Sequence, residues 1–341
     1  MRKRIVSAVL LFLMLTALSG CDKNSETEGS GGLNIVTTVF PAYDFAREIA
    51  GERTAVMLLV PPGAEAHSFE PTPQDIIRIR NCDLLIRNGG ESEAWLEEIL
   101  EGFDEPIHSI TMLACVDALE EETKEGMQSA GHEHHDHEDH DEHEEHHEHV
   151  NHDEHEDHEA HHEHETEYDE HVWTSPINAK LISEAICDAL CTIDAVNAEE
   201  YRKNCADFCA ELMELDKEIR SVIDNASCKT MIFADRFPVR YFVEEYGLEY
   251  YAAFPGCAED AEPSAKTVAF LIDRVREHHT PAVFYIEFSN EKMADIICED
   301  TGCEKYLFHS CHNVSADQLR EGISYLELFR RNVTALKEAL G

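Results

Sequence analysis

Fifteen of the 22 histidines in this chain lie within residues 132–164, where nearly all of the remaining residues are Asp or Glu. Neutral imidazole is a good ligand for zinc, copper and nickel, and carboxylates attract divalent cations. Because the stretch has almost nothing apolar to bury, we predict a disordered loop over residues 131–168. Its residue types predict an accessory collector of metal ions, and a solvated acidic linker is the alternative. The histidines are His132, His134, His135, His137, His140, His143, His146, His147, His149, His152, His155, His158, His161, His162 and His164.

The composition of the whole chain sets the broad class of protein. Its 341 residues are enough for two ordinary domains, each with its own core. The formal net charge of -44 is strongly acidic, and the histidine-rich loop carries much of it. Such a charge argues against nucleic acid as a partner and favours the attraction of cations.

The first 21 residues have the pattern of a targeting segment. Residues 2–4 are basic, and residues 6–18 form an apolar stretch too short to predict a membrane-spanning helix. The stretch ends in Leu18-Ser19-Gly20-Cys21, which resembles the bacterial lipobox, and an ordinary cleaved signal peptide is the alternative. With a flexible tether over residues 22–32, we predict an extracytoplasmic lipoprotein anchored through Cys21 to the outer face of the cell membrane.

Strand and helix patterns alternate after the tether. We predict strands over residues 33–40, 54–60, 83–87 and 107–110, with helices between them. One helix begins after Thr72, where a hydroxyl cap is followed by Pro73 and by the acid Asp75. Strands separated by helices favour a parallel sheet. Residues 33–175 are therefore predicted to form an N-terminal α/β lobe that includes the histidine-rich loop.

A long amphipathic helix is predicted over residues 198–223. Its apolar residues recur at spacings of three and four, which gives one continuous buried face. We interpret residues 176–225 as connecting helices and residues 226–341 as a C-terminal α/β lobe, with strands over 230–233, 249–253, 282–286 and 306–308. The predicted fold is two α/β lobes joined by a long rigid helix. The apolar residues of the long helix are Tyr201, Cys205, Phe208, Leu212, Leu215, Ile219 and Val222.

Potential metal ligands follow the predicted strands. Ligands in open α/β sheets bind beyond the carboxyl ends of the strands, and these positions hold His67, Asp235, Glu287 and His309. His171 stands where the histidine-rich loop rejoins the ordered chain. Two imidazoles from one lobe with a carboxylate or imidazole from the other would form a tetrahedral site between the lobes, which suits Zn²⁺. Taken singly, such a histidine is more often structural, and such a glutamate is more often a salt-bridge partner.

Three motifs together resemble the cluster A-I solute-binding proteins of ABC metal transporters. They are PGAEAHSFEPTP at residues 62–73, HVWTSP at residues 171–176 and EPS at residues 262–264. The likeness is greatest to the zinc-uptake receptors, which are lipoproteins with an acidic, histidine-rich loop between the first two metal histidines. The resemblance covers residues 33–340 and implies one zinc in a cleft between two α/β lobes. It implies that His67 is the first metal histidine and that His171 is the second.

The chain departs from this family pattern at the third ligand. The family has a histidine, or a glutamate in manganese receptors, after the first strand of the second lobe, whereas residues 233–238 read FADRFP here. Asp235 is the nearest potential ligand. The fourth position falls within HSCH at residues 309–312, where His309 lies closer to the strand end. We therefore predict the ligands His67, His171, Asp235 and His309, with Glu287 and His312 as alternatives.

The predicted function is that of a monomeric zinc receptor and not of an enzyme. The resemblance implies that the protein captures Zn²⁺ and delivers it to the membrane permease of an ABC transporter, which is driven by an ATPase. A manganese or iron receptor of the same family and a metal-buffering adhesin are alternatives. A surface zinc-dependent hydrolase is an alternative of another class. It would need an open coordination position and a general base such as Glu65 or Glu287.

Overall fold

A computed structural model of the chain describes residues 32–52, 54–128, 167–256, 258 and 263–341. The predicted signal peptide, the lipidation site Cys21 and the fifteen histidines of the loop lie outside the described residues. Residues Leu33–Gly341 cluster as one compact unit. Among the helices that the structure describes, none combines the length and the hydrophobicity needed to cross a membrane.

Four parallel strands form the first sheet, in the order β2-β1-β3-β4. The predicted cap of the second helix is confirmed, because the Thr72 hydroxyl accepts from the Asp75 N–H and the Asp75 carboxylate accepts from the Thr72 N–H. The first helix begins inside the segment predicted as strand, since Pro41 fits the first turn of a helix. The strands are β1 (Asn34–Thr37), β2 (Ala55–Leu58), β3 (Leu84–Arg87) and β4 (Ser109–Thr111), and the helices are α1 (Phe40–Ala50), α2 (Pro73–Arg80) and α3 (Ala94–Glu101).

Two helices follow the first sheet, α4 (Pro176–Ile193) and α5 (Ala198–Asn225). The 28 residues of α5 make a helix of about 42 Å at 1.5 Å per residue. Its predicted apolar face is buried from Tyr201 to Ile219, and Ile223 is buried at the end of the face where Val222 was predicted. α5 contacts α1 beside the first sheet and the last helix of the chain, α10 (Tyr325–Ala339), beside the second. The helix therefore joins the two lobes.

The second sheet repeats the parallel pattern in the order β6-β5-β7-β8. β5 is longer than predicted, because after a register shift Arg236 and Phe237 still pair with β6. Two parallel α/β sheets connected by a long helix confirm the predicted fold class. The strands are β5 (Thr230–Phe237), β6 (Glu249–Pro255), β7 (Ala282–Tyr285) and β8 (Glu304–Leu307), and the remaining helices are α6 (Arg240–Tyr246), α7 (Ala265–His278), α8 (Lys292–Thr301) and α9 (Ala316–Glu321).

One hydrophobic core spans both lobes. It contains residues of both sheets, such as Ile35 and Phe233, together with Leu212 and Leu215 of α5, all nearly or fully buried. Smaller apolar clusters cover the outer face of each sheet. The loops at the carboxyl ends of the strands are therefore held on a common, packed base.

Candidate metal centre

The structure brings His67, His171 and His312 together. One potential donor atom from each lies within 4.8 Å of the other two. The ring centres are 5.2 Å apart for His67 and His312, 5.3 Å for His171 and His312, and 6.0 Å for His67 and His171. Within the described residues, no other group of three or more His, Cys, Asp or Glu side chains is arranged in this way. Three imidazole nitrogens at this spacing suit a tetrahedral ion such as Zn²⁺ with one further ligand.

His67 lies on the loop between β2 and α2. Its Nε2 atom is buried and has no hydrogen-bond partner among the described residues. Buried polar atoms in proteins are nearly always hydrogen-bonded, so each exception calls for a physical explanation. A lone pair held beside two other imidazoles is suited to bind a metal ion.

His171 is buried and lies directly before a short 3₁₀ turn, Val172–Thr174, that leads into α4. The Oδ1 atom of Asp169 accepts from the backbone N–H of His171 at 2.8 Å and lies 3.1 Å from its ring Nδ1. A proton on Nδ1 that is donated to Asp169 leaves Nε2 as the metal-binding atom, an orientation that carboxylates commonly give to metal-binding histidines. Gly256 passes close to the ring, since a Cβ there would lie 3.2 Å from the Cε1 atom of His171.

His312 lies on the loop between β8 and α9, which is tied firmly to its own lobe. Asn332 of α10 accepts from the N–H of His309 and donates to its carbonyl, each at 2.8 Å. The Glu287 carboxylate accepts from the N–H of Ser310 at 2.7 Å and from its hydroxyl at 2.5 Å. The Ser310 hydroxyl in turn accepts from the N–H of His312 at 3.2 Å. These bonds fix the backbone that presents His312.

The same loop also binds the segments that carry the other two histidines. Asn313 donates to the carbonyls of Pro61 and Ala64, both at 2.8 Å, in the loop after β2. Trp173, two residues after the buried histidine, donates its indole N–H to the Ser310 carbonyl at 2.8 Å. The three histidines are therefore held by one connected set of hydrogen bonds across the two lobes.

The histidines differ in how readily they take a proton. Burial and the neighbouring charge of His171 lower the pKa of His67 to about 4. Burial and the other two histidines hold the pKa of His312 well below its usual value. Burial also opposes the charged form of His171, but the nearby Asp169 carboxylate outweighs it and raises that pKa. At neutral pH His67 and His312 are thus in the neutral form that coordinates metals.

Asp235 does not join the three histidines. It lies within β5 and not after it, because β5 continues to Phe237. Its Oδ1 atom accepts from the N–H of Arg236 at 2.8 Å, and its Oδ2 atom accepts from the N–H of Ile286 at 3.3 Å. The carboxylate therefore connects β5 to the segment after β7, and the structure places it outside the histidine group.

His309 and Glu287 lie beside the group, but their hydrogen bonds stabilise the loop that carries His312. The Nδ1 atom of His309 accepts from the N–H of Cys311 at 3.0 Å, so this imidazole is used inside its own turn. Glu287 lines the same cavity as the three histidines, and its two oxygens accept from Ser310. The chain turns at Cys311, so that His312 and not the predicted His309 joins the histidine group.

An ion pair crosses the cavity between the lobes. The Nη1 atom of Arg236 donates to the Oε2 atom of Glu65 at 3.0 Å. Burial raises the pKa of Glu65, but the charge of Arg236 and their hydrogen bond outweigh it, so that pKa is lowered overall. Both side chains line the cavity together with the three histidines.

The sequence of the chain matches a family model described as "ZnuA: Zinc-uptake complex component A periplasmic" over residues 35–339. The chain belongs to this family. The high-affinity zinc uptake system protein ZnuA of Bacillus subtilis is 30% identical over 336 residues, which cover 96% of this chain and 94% of that protein. The zinc-binding lipoprotein AdcA of Streptococcus pneumoniae is 27% identical over 338 residues, which cover 98% of this chain but only 60% of AdcA.

A solved structure has the same fold. The Zn(II)-bound ZnuA-like domain of AdcA from Streptococcus pneumoniae superimposes with a TM-score of 0.69, covering 91% of this chain and 99% of that domain. At 24% sequence identity this likeness shows the fold. The fold is thus shared over most of this chain.

Two residues of the centre received no role from the sequence. Asp169, which orients His171, carries a local signal, because an acid two residues before a potential metal histidine can reach its ring. Asn313 carries none, since its carbonyl partners lie more than two hundred residues earlier. Arg236 stands next to the predicted ligand Asp235 in the sequence, and its guanidinium pairs with Glu65.

Proposed function

We propose that this protein is an extracytoplasmic receptor that binds one Zn²⁺ through His67, His171 and His312. The observation that carries the proposal is the buried, unpartnered Nε2 atom of His67 beside the donor atoms of the two other histidines. Imidazole ligands suit zinc, whereas manganese prefers oxygen ligands. Membership of a zinc-uptake family and the zinc-binding names of its relatives support the same cargo.

The ligand set of the proposal differs from the set predicted from the sequence. His312 takes the place of Asp235 and His309, whose polar atoms are engaged elsewhere. The third protein ligand therefore comes from the loop after β8 and not from the first strand of the second lobe. The fourth position of the ion would hold a water molecule.

Delivery and collection complete the proposal. The loaded protein presents Zn²⁺ to the permease of an ABC transporter that its ATPase drives, as the family name implies for an uptake complex. Cys21 carries the lipid that anchors the protein outside the cytoplasm, and the histidine-rich loop collects zinc. That loop rejoins the described chain only a few residues before His171, which supports transfer of ions from the loop to the centre. Residues 33–175 and 226–341 act as the two lobes around connecting helices in residues 176–225.

A zinc-dependent hydrolase is the candidate of a different class, because three protein ligands leave one coordination position. Such an enzyme also needs a general base near the metal. Glu65 is paired with Arg236, and Glu287 accepts two hydrogen bonds from Ser310. Because both carboxylates have these structural partners, we favour the receptor.

The proposal is tested by counting and titrating bound zinc. The protein begins at Leu33, and residues 132–164 are replaced by a short Gly/Ser linker, so that the loop does not contribute. Wild type should hold one tightly bound zinc by elemental analysis. The variants His67→Ala and His312→Ala should lose it, whereas His309→Ala and the exposed control His108→Ala should retain it.

Each outcome separates two readings of the site. Retention of tight zinc by His312→Ala, together with loss in His309→Ala, would restore the sequence-based ligand set. Loss of all zinc binding when the loop is replaced would show that the ordered lobes are not a zinc receptor. Circular dichroism of every variant checks that the fold is intact.

A further inference from the structure

Arg236 places a fixed positive charge beside a centre suited to a cation. Its guanidinium lines the same cavity as His67, His171 and His312. Like charges repel strongly where solvent is excluded, and the Arg236 side chain is only 17% exposed. A half-buried arginine at this position therefore opposes metal binding.

The role of Arg236 is indicated by its ion-pair partner, Glu65. Glu65 precedes His67 on the same loop, lines the same cavity and accepts a hydrogen bond from the His67 backbone N–H. A carboxylate so close to the first ligand is a natural fourth ligand for a metal ion. Yet Glu65 is not part of the three-histidine group among the described residues, and Arg236 donates to its Oε2 atom at 3.0 Å.

The competition between these partners has a chemical consequence. Carboxylate oxygens suit Mn²⁺, whereas imidazoles suit Zn²⁺. A site of three imidazoles thus discriminates against manganese, and a site of three imidazoles and one carboxylate discriminates less. Whether Glu65 can coordinate the metal ion decides which of these two sites the protein forms.

We propose that Arg236 determines the metal preference of the centre by holding Glu65 out of the coordination shell. The ion then has only three imidazole nitrogens from the protein, and its fourth position is left to water. Arg236 reaches this position from β5, while Glu65 comes from the loop after β2, so the ion pair also connects the two lobes. The inference rests on the proposed three-histidine site.

The experiment compares zinc and manganese affinities in the protein from Leu33 onward, with its histidine-rich loop retained. Chelator buffers fix the free metal concentration, so metal taken up by the loop does not distort the titration. Trp173 reports on the centre, since its ring centre lies 5.3 Å from that of His312 and 5.6 Å from that of His171. Its fluorescence is followed in a Trp95→Phe background, which leaves one tryptophan.

Arg236→Ala frees Glu65 and should raise the ratio of manganese to zinc affinity about tenfold, the scale on which partners of metal ligands act. Loss of the positive charge strengthens the binding of both ions, so the ratio and not either affinity is the readout. Arg236→Ala combined with Glu65→Gln should return the ratio to the wild-type value. Arg240→Ala removes an arginine paired with Glu244 and should leave the ratio unchanged.

Two results would overturn the inference. One is an unchanged ratio in Arg236→Ala, and the other is an equal rise in the double variant, which would assign the effect to charge alone. Failure of the receptor proposal looks different, because wild-type protein would then show no saturable zinc response at Trp173. Far-ultraviolet circular dichroism confirms that each variant is folded.

Discussion

Two parts of the second lobe were both expected to supply a metal ligand, and only one contributes to the histidine group. At the end of β5, the Asp235 carboxylate accepts from backbone N–H groups and Arg236 pairs with Glu65. In the loop after β8, the chain turns at Cys311, which has a φ of 63°, and presents His312. One segment is the end of β5 and the other follows β8, and because both strands belong to one parallel sheet, both segments lie at the carboxyl ends of its strands.

The difference teaches that position at a sheet edge does not by itself make a ligand. The decisive factor is whether the side chain already has a hydrogen-bond partner within the protein. Asp235 accepts a hydrogen bond from the N–H of Ile286, and His309 accepts one from the N–H of Cys311. A residue whose donor or acceptor atoms are already satisfied within the protein gains less from a metal ion.

The largest expected effect comes from removing His312, the residue of the second lobe that joins the histidine group. His312→Ala should weaken zinc binding by at least roughly 100-fold, since even outer partners of metal ligands are worth 10–100-fold. Asp235→Ala should change zinc affinity much less, although it costs stability by removing a partner of the Ile286 N–H. Competition titration against a chelator measures both. Equal losses in the two variants would contradict the assignment.

A transplanted ligand tests whether the two segments are equivalent. Arg236 is the β5 residue that lines the cavity, so Arg236→His in a His312→Ala background places an imidazole at the other position. We expect zinc affinity to recover about tenfold relative to His312→Ala alone. The control is Arg236→Ala in the same background, which frees Glu65 without adding an imidazole. Equal recovery in both double variants would show that the carboxylate and not the new histidine is responsible.

The pH dependence of zinc affinity tests the role of His171. A proton on His171 competes with zinc, and Asp169 outweighs the effect of burial and raises its pKa above the ordinary histidine value. Zinc affinity should therefore fall as the pH drops through that raised pKa, while His67 stays neutral down to its pKa of about 4. Asp169→Asn should move the fall to lower pH and cost about tenfold in affinity at high pH, because the ring loses its orienting partner.

Zinc dissociation constants measured from about pH 5 to pH 8 check this prediction across the ordinary histidine range. Ser183→Ala, which removes a buried hydroxyl from α4, is the control that should leave the profile unchanged. A wild-type affinity that is the same at both ends of the range would contradict proton competition at His171.

The smallest expected effect lies in the support of the β8 loop. Asn313→Ala removes the hydrogen bonds to the carbonyls of Pro61 and Ala64 and loosens the loop that carries His312. We expect a severalfold loss of zinc affinity with an unchanged pH profile, and a loss of about 1–3 kcal/mol in the free energy of unfolding for unsatisfied buried groups. Urea unfolding and zinc titration measure the two. A shifted pH profile would show that the loop also acts on His171.

Much of the fold followed from local patterns. The cap at Thr72 is made by residues three apart, and the buried face of α5 follows from a repeat of three and four. Such signals involve neighbours in the chain, so the sequence contains them in full. The predicted end of the strand at residue 233 was wrong, because after a register shift Arg236 and Phe237 still pair with β6.

The three clustered histidines divide in the same way. His67 and His171 stand in motifs that the sequence alone made conspicuous, and the structure places them together. His309 and His312 are only three residues apart, and no local pattern distinguishes them. The choice depends on Glu287 and Asn332, each 23 residues away from the residue of the loop that it binds.

The sequence by itself thus determined the two α/β lobes, the long connecting helix, two of the three clustered histidines and the family. Only the tertiary structure decided that His312 completes the group, that Asp235 faces the protein backbone and that Arg236 holds Glu65. The physical reason is the range of the interactions. Helix caps and apolar repeats act within a few residues, whereas the Arg236–Glu65 pair spans 171 residues and forms only when both lobes are packed.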